Sequence, residues 1–67
     1  MTCDIYVWPI GNLWMAAICK GGKRVVAFGG FDSSDAAIAQ AKNDLAICGC
    51  SGHNPPIIAS NDSQVPK

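Results

Sequence analysis

The residues best equipped for chemistry lie together in Cys48-Gly49-Cys50-Ser51-Gly52-His53, two thiols and an imidazole within six positions. Cys3 or Cys19 could complete a tetrahedral zinc site with them. The spacing argues against metal, because zinc sites usually pair cysteines at C-x2-C, whereas this C-x-C straddles a helix end at which Cys48 is needed on the buried stripe. Cys3, Cys19, Cys48 and Cys50 could form two bridges in a secreted chain, but without an export signal they are expected to be reduced structural thiols, with no metal and no cofactor. Cys50 and His53 as nucleophile and base lack a third group to orient the imidazole and any oxyanion site, so no catalytic residue is expected and the chain reads as non-enzymatic. Lys20, Lys23 and Arg24 form a second cluster, and a β-ribbon with basic residues beside aromatics can hold nucleic acid. Five Lys plus Arg balance five Asp, which leaves only a small counterion-release contribution and makes this the lesser reading. Gly29-Gly30 lacks the Lys-Ser/Thr of a phosphate loop and reads as a bend. Asp32 and Asp35 belong to a helix cap, not to an acid/base pair.

The elements that must carry these residues follow from periodicity. Residues 32–48 show the one helical pattern, with Ile38, Ala41, Leu45 and Cys48 on a stripe, Asp32 at the N-cap and Gly49 closing the C-terminus. Residues 3–10 alternate and are rich in β-branched and aromatic side chains, as a strand requires. Gly11-Asn12 and Gly21-Gly22 are two-residue hairpin turns, which makes residues 13–20 and 24–28 the second and third strands of a meander. Residues 50–56 read as loop, and Ile57 to Ser60 as a short fourth strand. A right-handed crossover through the helix places that strand parallel to the first, at its open edge. The expected fold is α+β, one β-β-β-α-β domain over residues 1–60 with strand order 4-1-2-3, followed by a flexible tail over residues 61–67.

Two-residue turns also fix a register, in which Ile10 opposes Leu13, Ile5 meets Ile18, and Ile18 meets Val25. One sheet face then holds Ile5, Val7, Trp14, Ala16, Ile18, Val25 and Ala27, and its small residues suit it to the Ala-rich helix. The other holds Tyr6, Trp8, Ile10, Leu13, Met15, Ala17, Val26 and Phe28. With one helix to cover two apolar faces, Tyr6, Trp8, Met15 and Phe28 are expected to form an exposed partner-binding patch, used in a homodimer or on another protein. If the chain itself shields Trp8 and Phe28, the interaction site belongs on the hairpin loops.

At 67 residues the chain is one domain near the lower limit for a self-sufficient core. Its hydrophobic share of 49 % against 15 % charged is more apolar surface than such a core absorbs, which again points to a partner. MTCDIYVW has neither the positive n-region nor the continuous apolar run of a signal peptide, and no stretch suits a membrane span, so a cytoplasmic protein is expected.

Tyr6-Val7 through Pro9, Gly11, Trp14, Gly21-Gly22-Lys23, and Phe31-Asp32-Ser33 before an Ala-rich helix together resemble the short β-β-β-α-β domains related to HicB-type antitoxins of bacteria and phages. The resemblance spans residues 3–60. The layout is similar also to tiny phage-encoded anti-CRISPR inhibitors. The HicB-like resemblance implies a partner-binding or neutralising module, whose relatives usually bind DNA through a separate C-terminal domain, and the anti-CRISPR resemblance implies a stand-alone, non-enzymatic inhibitor in a bacterial cell that occupies a surface of a host protein or defence complex.

Overall fold

Glycine at two turns determines how the first half of the chain folds. The computed structural model describes residues 2–67, in which β1 (Thr2–Ile10), β2 (Leu13–Lys20) and β3 (Lys23–Phe31) form an antiparallel meander. At the first turn Gly11 has φ +60° while Asn12 keeps a negative φ, and at the second Gly21 and Gly22 have φ +63° and +79°. Both are conformations that match strand twist and that a side chain at those positive-φ positions would oppose.

The helix α1 (Ser34–Asp44) is shorter than its apolar period predicts. Its N-cap is Ser33, whose hydroxyl accepts from the Ala36 amide at 3.1 Å, and Asp32 lies one residue outside. Regular helix stops at Leu45, and the chain continues through turns in which Cys50 N–H donates to the Leu45 carbonyl at 2.9 Å and Gly49 adopts φ +76°. Ala37 and Ala41 are fully buried against the sheet, with Ile38, Leu45 and Cys48 beside them.

Past the turns the chain returns twice to β1. β4 (Gly52–His53) pairs in parallel with Thr2 and Cys3, and β5 (Ile57–Ile58) pairs in parallel with Tyr6 and Val7. The path β3-β2-β1-β4 is the expected 4-1-2-3 order, with one more short strand than the sequence suggests. A two-residue strand leaves no periodicity to read, so residues 52–53 pass for loop in the sequence.

The register of β1 on β2 is the expected one, Ile10 opposite Leu13 and Ile5 opposite Ile18. That of β3 is not. Lys20 opposes Lys23 and Cys19 opposes Arg24, but Ile18 then opposes Val26, so Val25 is an extra residue. The bulge turns Val26 and Phe28, rather than Val25 and Ala27, toward the helix. Packing explains the preference: a helix that contributes mainly alanines leaves space that Val26 and Phe28 fill and Ala27 would not. A second shift, between Ala16–Phe28 and Trp14–Phe31, falls at Gly29-Gly30, where Gly30 has φ +85°.

The core on the helix side comprises Cys3, Ile5, Val7, Ala16, Ile18, Ala37 and Ala41. A disulfide joins Cys3 to Cys50, which corrects the expectation of four reduced thiols. The pairing of β4 with the start of β1 brings Cys50 to Cys3, a contact invisible while residues 50–56 read as loop. Cys19 and Cys48 remain free thiols.

Residues 61–67 are the larger correction. Instead of a flexible tail they form a 3-10 turn (Asp62–Gln64), capped by Asn61, that lays the following Val65 against the sheet face away from the helix. Trp8, Ala17, Cys19, Ala59 and Val65 make a second buried cluster there, with Tyr6 and Met15 at its margin.

Candidate interaction surface

The sheet face expected to be open holds Trp8 at 2 % exposure, with Val65 at 4 % and Ala59 at 5 %. Each contact has a local cause. β5 delivers Ala59, whose N–H donates to the Val7 carbonyl at 2.8 Å, and the Asn61 side chain accepts from Ser63 N–H to start the turn that presents Val65.

Arg24 fastens this segment. Its guanidinium lies over the Trp8 ring, 5.2 Å from the centroid, a cation–π arrangement. Its Nη2 donates to Asp62 Oδ1 at 2.6 Å and its Nε to the Pro66 carbonyl at 3.1 Å. Lys67 Nζ reaches Asp62 Oδ2 at 3.3 Å. The hydrogen bond from Arg24 holds the Asp62 carboxyl below the usual carboxylate range, assisted by Lys67. Asp62 is 45 % exposed, so solvent screens these ion pairs, and the apolar burial of Val65 and Ala59 is the stronger attachment. Burial raises the Cys19 thiol under the tail; Arg24 opposes that effect and Asp4 adds to it.

Of the four residues expected to form the sheet-face site, Tyr6, Trp8 and Met15 do share a face, but Trp8 is buried and the other two are half-buried beside the tail cluster. Met15 also lies over Gly29, where an added Cβ would meet its Cγ at 3.4 Å. Phe28 is on the opposite face, against the helix-side core, because of the bulge at Val25. The basic cluster is dispersed as well. Arg24 is turned onto Trp8 and the tail, Lys20 Nζ donates to the Cys48 carbonyl at 3.2 Å, and Lys23 stands exposed on the turn.

Ile10 and Leu13, 54 % and 40 % exposed, remain on the tail-bearing face. They oppose one another across the first hairpin, with Pro9, Gly11 and Asn12 also exposed, so the tip Pro9-Ile10-Gly11-Asn12-Leu13 presents apolar side chains with no charged group. Val25 is exposed at the other end of the sheet, Ile57 and Ile58 along its edge, and Ile47 on the turns after the helix. The expected face contained Ile10 and Leu13; what sequence reasoning missed was Val65, Asp62 and Arg24 as the cover. Asn61-Asp62-Ser63 ahead of a single valine was the available signal, a capping pattern in a segment too short to show a period.

Among the described residues no pocket is enclosed, and no group of three His, Cys, Asp or Glu side chains is arranged to hold a metal ion. No helix among them is long and apolar enough to cross a membrane. Compared with protein-family models, curated proteins and solved structures, the chain matches none.

Proposed function

We propose that the chain is a non-enzymatic protein-interaction module whose recognition element is the tip of the β1–β2 hairpin. The observation that carries this reading is the pair Ile10 and Leu13, opposed across the hairpin and open to water on the face where the tail buries Trp8. Large apolar side chains next to one another at a turn favour insertion into an apolar groove of a different protein, where each would bury area worth about 25 cal/mol per Å2. Homodimerisation through the sheet face loses its motive, because the tail already covers Trp8. Nucleic acid is less favoured still, since Arg24 is engaged within the molecule.

An inhibitor that occupies a host protein or defence complex, the role implied by the HicB-like and anti-CRISPR-like resemblance, would use a surface of this kind. The Cys3–Cys50 bridge weighs against a strongly reducing cytoplasm as the working compartment. The test replaces Ile10 and Leu13 by Ser and compares the double variant with the parent in pull-downs from the native host. We expect an unchanged melting profile with the loss of one specific partner. Identical capture by both proteins, or a salt-sensitive shift of random DNA by the parent, would remove the hairpin tip from the account.

A further inference from the structure

We propose that the face beneath residues 61–67 is a second binding site, and that the tail is its internal competitor. The ligand is an extended segment of another protein with a carboxylate and, three residues on, a branched apolar side chain. The walls of the site belong to the sheet: Trp8 comes from β1, Ala17 and Cys19 from β2, and Arg24 from β3. Arg24 opposes Cys19 across the ladder, and its guanidinium lies 5.2 Å from the centroid of the Trp8 ring, so the sheet itself orients this cation. The segment seated there shows what chemistry the face accepts. Asp62 Oδ1 accepts from Arg24 Nη2 at 2.6 Å, and the Pro66 carbonyl accepts from Nε at 3.1 Å. Between them Val65, 4 % exposed, packs with Trp8, Ala17, Cys19 and Ala59. One guanidinium that holds two acceptors of the same segment sets a register: carboxylate first, apolar side chain three residues later, backbone carbonyl next.

The tail is built to lift as a unit. Ser63 N–H donates to Asn61 Oδ1, Gln64 N–H to the Asn61 carbonyl and Val65 N–H to the Asp62 carbonyl, all within the segment. Lifting it breaks none of these and leaves Ala59 N–H on the Val7 carbonyl. Its ion pair to Arg24 is screened by solvent, because Asp62 is 45 % exposed, and one valine supplies the apolar contact. An incoming carboxylate restores the ion pair that Arg24 loses when Asp62 leaves, whereas a neutral segment does not, which is the source of selectivity. The site also adjoins the hairpin tip. Trp8 opposes Met15, and Ile10 opposes Leu13 two residues further along the same strands, a distance of about 7 Å. A partner seated on Ile10 and Leu13 therefore reaches Trp8 with a short length of extended chain.

The test titrates a synthetic peptide of residues 61–67, acetylated and amidated, into the full-length chain and follows the Trp8 indole N–H and the Arg24 Nε–H by NMR. The peptide is taken to about 10 mM, above the millimolar effective concentration of a short tether. Two proteins are compared, the parent and a full-length chain with Asp62→Asn and Val65→Ala, whose own tail competes less. Both should show saturable shifts at Trp8 and Arg24, with the loosened chain binding about tenfold more tightly, because apparent affinity scales with the fraction of molecules in which the site is open. The Ile5 and Ile18 amides, recorded in the same spectra, verify that the sheet is intact. Peptides carrying Asp62→Asn or Val65→Ser should each bind roughly tenfold more weakly. Absence of saturable shifts in both proteins, or equal binding of the three peptides, overturns the site. So does a parent that dimerises as its concentration rises while Trp8 stays shielded, since the occupant is then the tail of a second copy.

Discussion

Truncating Val65 to Ala tests whether the C-terminal segment is structure or ornament. Val65 is 4 % exposed and meets Trp8, Ala17 and Cys19 through a segment with no covalent anchor beyond Ala59. Loss of two methyl groups removes about 1.6 kcal/mol of transfer free energy at roughly 0.8 per carbon, and the cavity left behind brings the expected cost to about 1.5–2.5 kcal/mol. The cost falls first on local opening of the tail, because Val65 N–H donates only to Asp62 within the 3-10 turn, so tail opening becomes about tenfold more frequent or greater. Amide hydrogen exchange resolved by residue is the assay. Val65 and Ala59 should lose protection while Ile5 and Ile18 change little, and acrylamide quenching of Trp8 in a Trp14→Phe background should rise. Lys42→Ala, at an exposed helix position away from the tail, is the near-neutral control. If exchange at Val65 and quenching of Trp8 were the same in Val65→Ala as in the parent, the tail could not be what shields this face.

Three further outcomes follow from other parts of the fold. Ser33→Ala should destabilise the protein by about 1 kcal/mol in urea melts through loss of the bond to Ala36 N–H, while Asp32→Ala should be near neutral. Reduction of Cys3–Cys50 should lower stability by up to about 4 kcal/mol on the chain-entropy scale for a loop of this length, read as a drop in Tm on adding reductant that a Cys3→Ser variant no longer shows. Acid should loosen the tail without detaching it. The Asp62 carboxyl is depressed below its ordinary value of 3.8, so its contribution is complete above that value and is lost as pH falls through the lower folded-state value, a transition in tail-amide exchange that Asp62→Asn removes.

Much of the architecture was legible because it follows from local rules. Gly11-Asn12 and Gly21-Gly22 announce their turns, and once both are two-residue turns the pairing of Ile10 with Leu13 and of Lys20 with Lys23 follows. The α+β class and the 4-1-2-3 order needed only the helix and the handedness of its crossover. What escaped was non-local. The bulge at Val25 is set by how much volume an Ala-rich helix leaves to be filled, which no alternation in β3 displays, and it moved Phe28 from the expected site into the core. The disulfide needed the pairing of two-residue β4 with Thr2 and Cys3. The tail is seven mostly polar residues whose single valine and single carboxylate meet Trp8 and Arg24, contacts 42 positions apart in the case of Arg24 and Pro66. Two non-local effects divide the expected sheet-face set: the bulge carries Phe28 to the helix side, and a short irregular segment covers Trp8 although no helix lies on that face.

The hairpin tip is tested most directly by placing a photo-crosslinking amino acid at Leu13, and separately at exposed Ala39 on the helix, in the full-length protein expressed in its native host. Irradiation should give one discrete crosslinked partner from position 13 and none from position 39. Crosslinking at position 39 to the same partner, or at neither position while the parent retains its binding activity, would contradict the assignment of recognition to Ile10 and Leu13.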